Sequence, residues 1–199
     1  RRQRQMCIRD RNKGVIMIAE ESTTWPKVTG SVEDGGLHFS YKWNMGWMHD
    51  FLDYMKLDPY FRKYNHNKMT FGMTYAFSEN YILVLSHDEV VHLKCSMINK
   101  MPGDLEEKFQ NLMVGYAFMF GHPGKKLLFM GQDFGQWSEW SEKRSLDWYL
   151  LGEPEHKGLW TYFKALLHIY RKYPACYALD QYPEGFFWIN AVSYTHLTL

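Results

Sequence analysis

Three stretches of the chain share one pattern, a run of branched or long apolar residues that stops abruptly at carboxylates, amides or an imidazole. They are Gly14-Val-Ile-Met-Ile-Ala-Glu-Glu21, Tyr81-Ile-Leu-Val-Leu-Ser-His-Asp-Glu89 and Lys125-Lys-Leu-Leu-Phe-Met-Gly-Gln-Asp133. Continuous apolar runs of this length predict strands buried on both faces, with the polar residues delivered at their C-terminal ends. A fourth stretch, Leu37-His-Phe-Ser-Tyr-Lys-Trp-Asn44, alternates more and predicts a weaker strand. Between the strands the apolar spacing changes to that of helices. Trp47, Met48, Phe51, Leu52 and Met55 make one helical stripe over 46–55, and short helical pieces are predicted over Asp58 to Tyr64 and Lys68 to Ala76. Asp104, with Glu107 three residues on, signals a capping box, and Leu105, Phe109, Leu112, Met113, Tyr116 and Phe120 follow on one face. Gly121-His-Pro-Gly124 ends that helix, and the lysines after it are expected to solvate a strand entry. A long loop with Trp137, Trp140 and Trp148 then leads to a last helix over Leu159 to Tyr170, closed by Pro174.

The order strand, loop, helix therefore recurs four times, with strand ends roughly 25 to 45 residues apart, longer than a minimal βα unit. Long βα loops follow from that spacing. A parallel sheet of four strands with its charge at one rim fits an open doubly wound domain or half of a (β/α)₈ barrel, and periodicity does not separate the two. No Gly-x-Gly-x-x-Gly turn argues for a nucleotide-binding sheet.

Composition narrows the partners. The 199 residues carry a formal net charge of +1, which gives no electrostatic reason to expect nucleic acid or an anionic membrane surface. No apolar run approaches the roughly 20 residues of a membrane span, and the basic Arg1 to Arg11 lacks a signal peptide's apolar core. Cys7, Cys95 and Cys176 are few, odd in number and far apart, which predicts reduced thiols and a cytoplasmic setting. Aromatic residues make up 18%, with eight Trp. Such rings suit sugar faces as well as they suit a packed core.

The chemistry narrows by exclusion. In His87-Asp-Glu-Val-Val-His92 the two imidazoles are five residues apart, about 140° round a helix, so the zinc-helix reading fails. Gly121-His-Pro-Gly-Lys-Lys126 lacks the span and the Ser/Thr of a phosphate loop. Ser86, His87 and Asp88 are expected to alternate between strand faces, which excludes a proton relay among them. What remains is carboxylates: Glu20, Glu21, Asp88, Glu89 and Asp133, all expected at one rim. Paired carboxylates at a barrel mouth are what glycosyl chemistry requires, although surface carboxylates with ordinary hydrogen bonds would give the same pattern.

The segments Met17 to Thr23, Tyr41 to Asp50, Leu85 to His92, Asn99 to Asp104, Gly121 to Gly131 and Ser145 to Trp148 carry a resemblance. Over roughly residues 13 to 190 the chain is similar to the bacterial 1,4-α-glucan (glycogen) branching enzymes of the α-amylase superfamily. The resemblance implies a (β/α)₈ TIM barrel, of which these residues hold the C-terminal half, strands 5–8. It implies partial barrel over 1–178 and the start of a C-terminal all-β domain over 179–190. Residues 191–199 resemble the translated end of a sequencing adapter and are expected to be non-native.

The resemblance further implies that Glu20 is the general acid/base, that Asp88 is the third carboxylate stabilising the transition state, and that His87 binds sugar in the same subsite. The implied partner is an α-glucan, with no cofactor and no metal. The family's nucleophilic Asp precedes residue 1, so the chain alone is expected to be inactive. Leu93 stands where the family has Gly, Asp133 where it has Glu, and Ser141-Glu-Lys143 where it has an Asn-His-Asp-like stretch. An amylase-type hydrolase and a noncatalytic glucan-binding module are the alternative readings.

Overall fold

A computed structural model describes residues 11–189. Four parallel strands form one sheet: β1 (Ile18–Ala19), β2 (Tyr41–Asn44), β3 (Tyr81–Leu85) and β4 (Lys125–Leu128). Their spatial order is their chain order, β1-β2-β3-β4. A doubly wound sheet reverses direction at a switch point, whereas this one only advances, as an arc of a barrel does. Three long helices accompany it: α1 (Met45–Met55), α2 (Leu105–Gly121) and α3 (Pro154–Lys172).

The registers Asn44↔Leu83 and Leu83↔Lys126 put these three residues on one side of the sheet. Lys126 Nζ lies 5.5 Å from the Tyr170 ring centre of α3, so that side carries the helices. The helices pack into one layer. A Cβ on Gly115 of α2 would stand 3.1 Å from both Phe51 Cζ and Met55 Cε of α1, so glycine sets that approach. On the other flank, Tyr116 and Phe120 meet Phe163 of α3 edge to face at 5.5 and 5.6 Å. Between helices and sheet lie Leu83, Leu85, Leu112, Tyr116, Met119 and Leu159, all fully buried. Burying each such aliphatic side chain stabilises by about 1.5–3 kcal/mol, and truncating Leu83 to Ala would cost about 2–5 kcal/mol.

Local sequence explains the helix ends. Asn44 Oδ1 accepts from Trp47 N at 2.9 Å and starts α1 directly at the end of β2. Asp104 and Glu107 form the expected reciprocal cap, at 2.9 and 2.8 Å. Other expectations shift. β1 is two residues long, the weaker strand begins only at Tyr41, and α3 starts five residues before Leu159, with Pro154 in its first turn. Leu105, expected on the apolar face of α2, is exposed. Residues 22–40 contain no helix; turns connect β1 to β2. Residues 179–189 carry one 3₁₀ turn, Pro183–Gly185, and the tail over 191–199 lies outside the described residues. Among the described residues no helix is long and apolar enough to cross a membrane.

The lysines at the entry of β4 are tied into the fold. Lys126 folds back onto the carbonyls of His122 and Gly124, while Lys125 pairs with the buried Asp180 at 3.0 Å. Burial, only partly offset by Asp180, pushes the Lys126 pKa down from 10.5 to about 8. Between those values the unfolded chain binds more protons than the folded one, so stability rises with pH.

Two outcomes are expected. At fixed chain concentration the urea midpoint should rise between pH 8 and 9.5, by up to about 1.4 kcal/mol per pH unit in free energy, and Lys126→Met should flatten the rise. A profile unchanged by Lys126→Met would show that the amine is solvated after all. Second, β1 and β4 each have one unpaired edge among the described residues, and Val15, Ile16 and Ile18 beside β1 are exposed. The isolated chain should therefore sediment as species larger than 23.8 kDa at micromolar concentration. A monomer with cooperative melting would show that the edges are tolerated.

Candidate active site

The C-terminal ends of β1 and β3 bring the candidate residues to the same rim. Past β1, Glu20 and Glu21 diverge. Glu21 turns to the helix side, where its carboxylate meets Lys42 Nζ at 2.7 Å. Partial burial works against its charge, but hydrogen bonds from Lys42 and Thr23 outweigh it and lower the carboxyl pKa. Glu20 is exposed and has no hydrogen-bond or ion-pair partner among the described residues. β1 and β3 are separated by β2, so the two strands that carry Glu20 and Asp88 at their ends are about 10 Å apart.

β3 ends because the chain turns. Ser86 N and Oγ both donate to Glu89 Oε2, at 2.5 and 2.8 Å, and Asp88 N donates back to Ser86 Oγ at 3.2 Å. This capping box closes a 3₁₀ turn over His87–Glu89. Two sequence readings change as a result. Glu89 is buried inside the turn and is not a free carboxylate at the rim. His87 and Asp88 do not alternate across a strand; they touch, Nε2 to Oδ1 at 3.2 Å, with both side chains 42% exposed. A serine nucleophile remains excluded, now because Ser86 is buried and its hydroxyl is committed to Glu89.

The His87–Asp88 turn is held from the next strand. Phe129, just past β4, donates its N–H to Leu85 O at 2.9 Å. Its ring packs against His87 at 5.8 Å and Trp140 at 5.1 Å, and Trp140 also edges His87 at 6.1 Å. Gln132 Nε2 donates to the carbonyls of Leu85 and Ser86, both at 3.3 Å, while its own carbonyl accepts from Tyr116 OH at 2.8 Å. Asp133 follows, half-buried, and burial raises its pKa above the usual carboxylate range.

Sequence reasoning missed the groups that brace this rim. Glu139 accepts from Leu93 N at 3.1 Å and Cys95 N at 2.7 Å. Both residues have left-handed backbones, with φ of 68° and 63°, a conformation that a glycine would adopt without strain. Glu79 accepts from Val28 N at 2.7 Å and Thr29 N at 2.8 Å, pinning the β1–β2 connection. Each pairing spans more than forty residues, so no local pattern could signal it. No group of three His, Cys, Asp or Glu among the described residues could hold a metal ion.

Comparison with known proteins places this arrangement. No protein-family model matches the chain. The 1,4-alpha-glucan branching enzyme GlgB of Butyrivibrio fibrisolvens is 64% identical over 184 residues, which is 92% of this chain and 29% of the relative. Its counterpart from Marinobacter nauticus is 57% identical over 89% of this chain and 28% of the relative. The chain thus spans less than a third of the length of these relatives. Among solved structures, the alpha-amylase from H. orenii superposes with a TM-score of 0.57 at 12% identity, over 88% of this chain and 40% of that one, which shows a shared fold. By sequence, then, the chain is similar to a segment of 1,4-alpha-glucan branching enzymes, and by fold to part of an alpha-amylase.

Proposed function

We propose that these residues form part of an enzyme that cleaves an α-1,4-glucan and transfers the released chain to a glucan 6-hydroxyl, creating α-1,6 branches. The four-stranded arc is read as strands 5–8 of the barrel, with 1–178 belonging to it and 179–190 leading into a β domain. A reducing, cytoplasmic setting belongs to the same reading, supported by the free thiols of Cys95 and Cys176. The observation that carries the proposal is the rim itself, in a sequence 64% identical to a branching enzyme: an unpartnered Glu20 at the end of β1, and the His87–Asp88 pair two strands away.

The chemistry follows from these positions. Glu20, free of competing partners among the described residues, is the group that protonates the leaving glycosidic oxygen and later takes the proton of the incoming 6-hydroxyl. Asp88 places negative charge beside the oxocarbenium-like centre, and His87, held against Phe129 and Trp140, offers a donor to a sugar hydroxyl of the same unit. The attacking carboxylate is assigned to the part of the longer relatives that lies outside this segment.

The test is a chimaera in which residues 11–189 replace the matching segment of the Butyrivibrio fibrisolvens relative. Incubated with amylose, it should form new α-1,6 linkages, read as anomeric proton signals. Shortened linear chains alone would reassign it as a hydrolase, and binding without turnover would make it a glucan-binding module. In the chimaera Glu20→Gln should lower kcat by about 10²–10⁴ with glucan binding largely kept, because the amide keeps the shape but donates no such proton. Asp88→Asn should be comparably impaired. Glu21→Gln should cost mainly stability, since it strips a buried lysine of its counter-charge. Were it the more damaging of the two neighbouring changes in kcat, the general acid would have to be reassigned to Glu21.

A further inference from the structure

A cavity of about 730 Å³ is on the helix side of β1 and β2, behind the rim that carries Glu20. Its volume is within the roughly 300–1,000 Å³ of small-ligand sites. Two large aromatic rings line it while remaining exposed, Trp25 at 60% and Phe71 at 57%. Trp25 is on a loop anchored at both ends. On one side Lys42 Nζ donates to Thr23 O at 3.0 Å and Trp25 N donates to Thr23 Oγ1 at 3.2 Å; on the other, Glu79 takes the amides of Val28 and Thr29. An uncovered indole on an anchored loop is a platform for an apolar face.

The wall between the rings is polar. Asn44 lines the cavity and is 2% exposed; its Oδ1 is spent capping α1, and its Nδ2 is buried without a partner. The Tyr75 hydroxyl is likewise buried and unpaired, and a Cβ on Gly46 would stand 2.8 Å from it, so glycine leaves the hydroxyl its room. Burial, with Asp50 close by, pushes the Tyr75 pKa up to about 12, which keeps the hydroxyl a donor. Buried donors without partners are costly and are normally satisfied by a ligand or water. Flat apolar platforms flanking neutral donors, with the Asp50 carboxylate as acceptor, match the two faces and the hydroxyl rim of a pyranose ring.

We propose that this cavity is a second α-glucan-binding site, which stacks glucosyl units on Trp25 and Phe71 and hydrogen-bonds their hydroxyls through Asn44, Tyr75 and Asp50. Glu21 lines this cavity and Glu20 is its neighbour in the chain, so a glucan held here lies close to the acid. The site rests on the α-glucan reading above and adds a subsite to it.

The experiment uses the chimaera labelled with 5-fluorotryptophan, with the Trp25 resonance assigned as the one lost in Trp25→Phe. Maltoheptaose should shift that resonance saturably, and cellohexaose should not. Tyr75→Phe removes only a hydroxyl, and Asn44→Asp keeps the α1 cap while deleting the donor; each should weaken the apparent Kd read at Trp25 at least tenfold. A Trp25 resonance that stays still while other tryptophans respond and amylose is branched would overturn this site and leave the proposed function standing. If no resonance moves and no glucan is turned over, both fail. A shift at Trp25 unaffected by Tyr75→Phe and Asn44→Asp would also sink the site, because stacking without those donors would be adventitious.

Discussion

A buried carboxyl group cannot be left without donors, and Glu89 has them only because the chain turns back at Ser86. That constraint stops β3 at Leu85 and converts the next three residues from strand to 3₁₀ turn. It also puts His87 and Asp88 side by side and facing out, where a continued strand would have sent them to opposite faces. Everything stacked above the turn takes its position from it: Phe129 and Trp140 against His87, and Gln132 across the last two carbonyls of the strand. The exposed pair is thus oriented by groups that are themselves buried, which is the arrangement a reactive site needs if its geometry is to survive substrate binding.

How much of this was legible in the sequence depends on range. Apolar runs that end in charge marked β3 and β4, and Asp104 with Glu107 marked the start of α2, because strand burial and capping are written within a few residues. Ser86 and Glu89 form the same kind of box, yet the apolar run before them hid it, and strict alternation then misplaced His87 against Asp88. β1 read as a long strand because nothing local reveals that only Ile18 and Ala19 find a partner. Lys126 folds back onto nearby carbonyls under a ring 44 residues later, and the roles of Glu79 and Glu139 depend on loops 51 and 46 residues away. Candidate carboxylates could be named from the sequence, but which of them are spent on structure could not: Glu21 on Lys42 and Glu89 on Ser86, with Glu20 left free.

The connection from β1 to β2 illustrates how a helix is replaced. Turns alone would leave backbone groups and side chains loose, so charged groups do the ordering: Lys42 ties Thr23, and Glu79 ties Val28 and Thr29. An ordered loop without a helix leaves the outer surface of two strands open, and the cavity with its unpaired Asn44 and Tyr75 occupies that surface. Polar anchoring and apolar exposure there have one cause.

The plain succession of strands in the sheet bears on how such a molecule is made. Every pairing joins neighbours in the sequence, Ile18 with Tyr41, Lys42 with Tyr81, Ile82 with Lys125, so no contact within the arc waits for a distant part of the chain. The paired residues are 23, 39 and 43 apart in the chain, so the strands can pair one after another as they emerge, each loop closed at an entropic cost that grows only slowly with its length. In a closed barrel one seam alone would break this rule, the one joining the first strand to the last. The slow step of folding would then be that single long-range closure, and the arc would be ready and waiting for it.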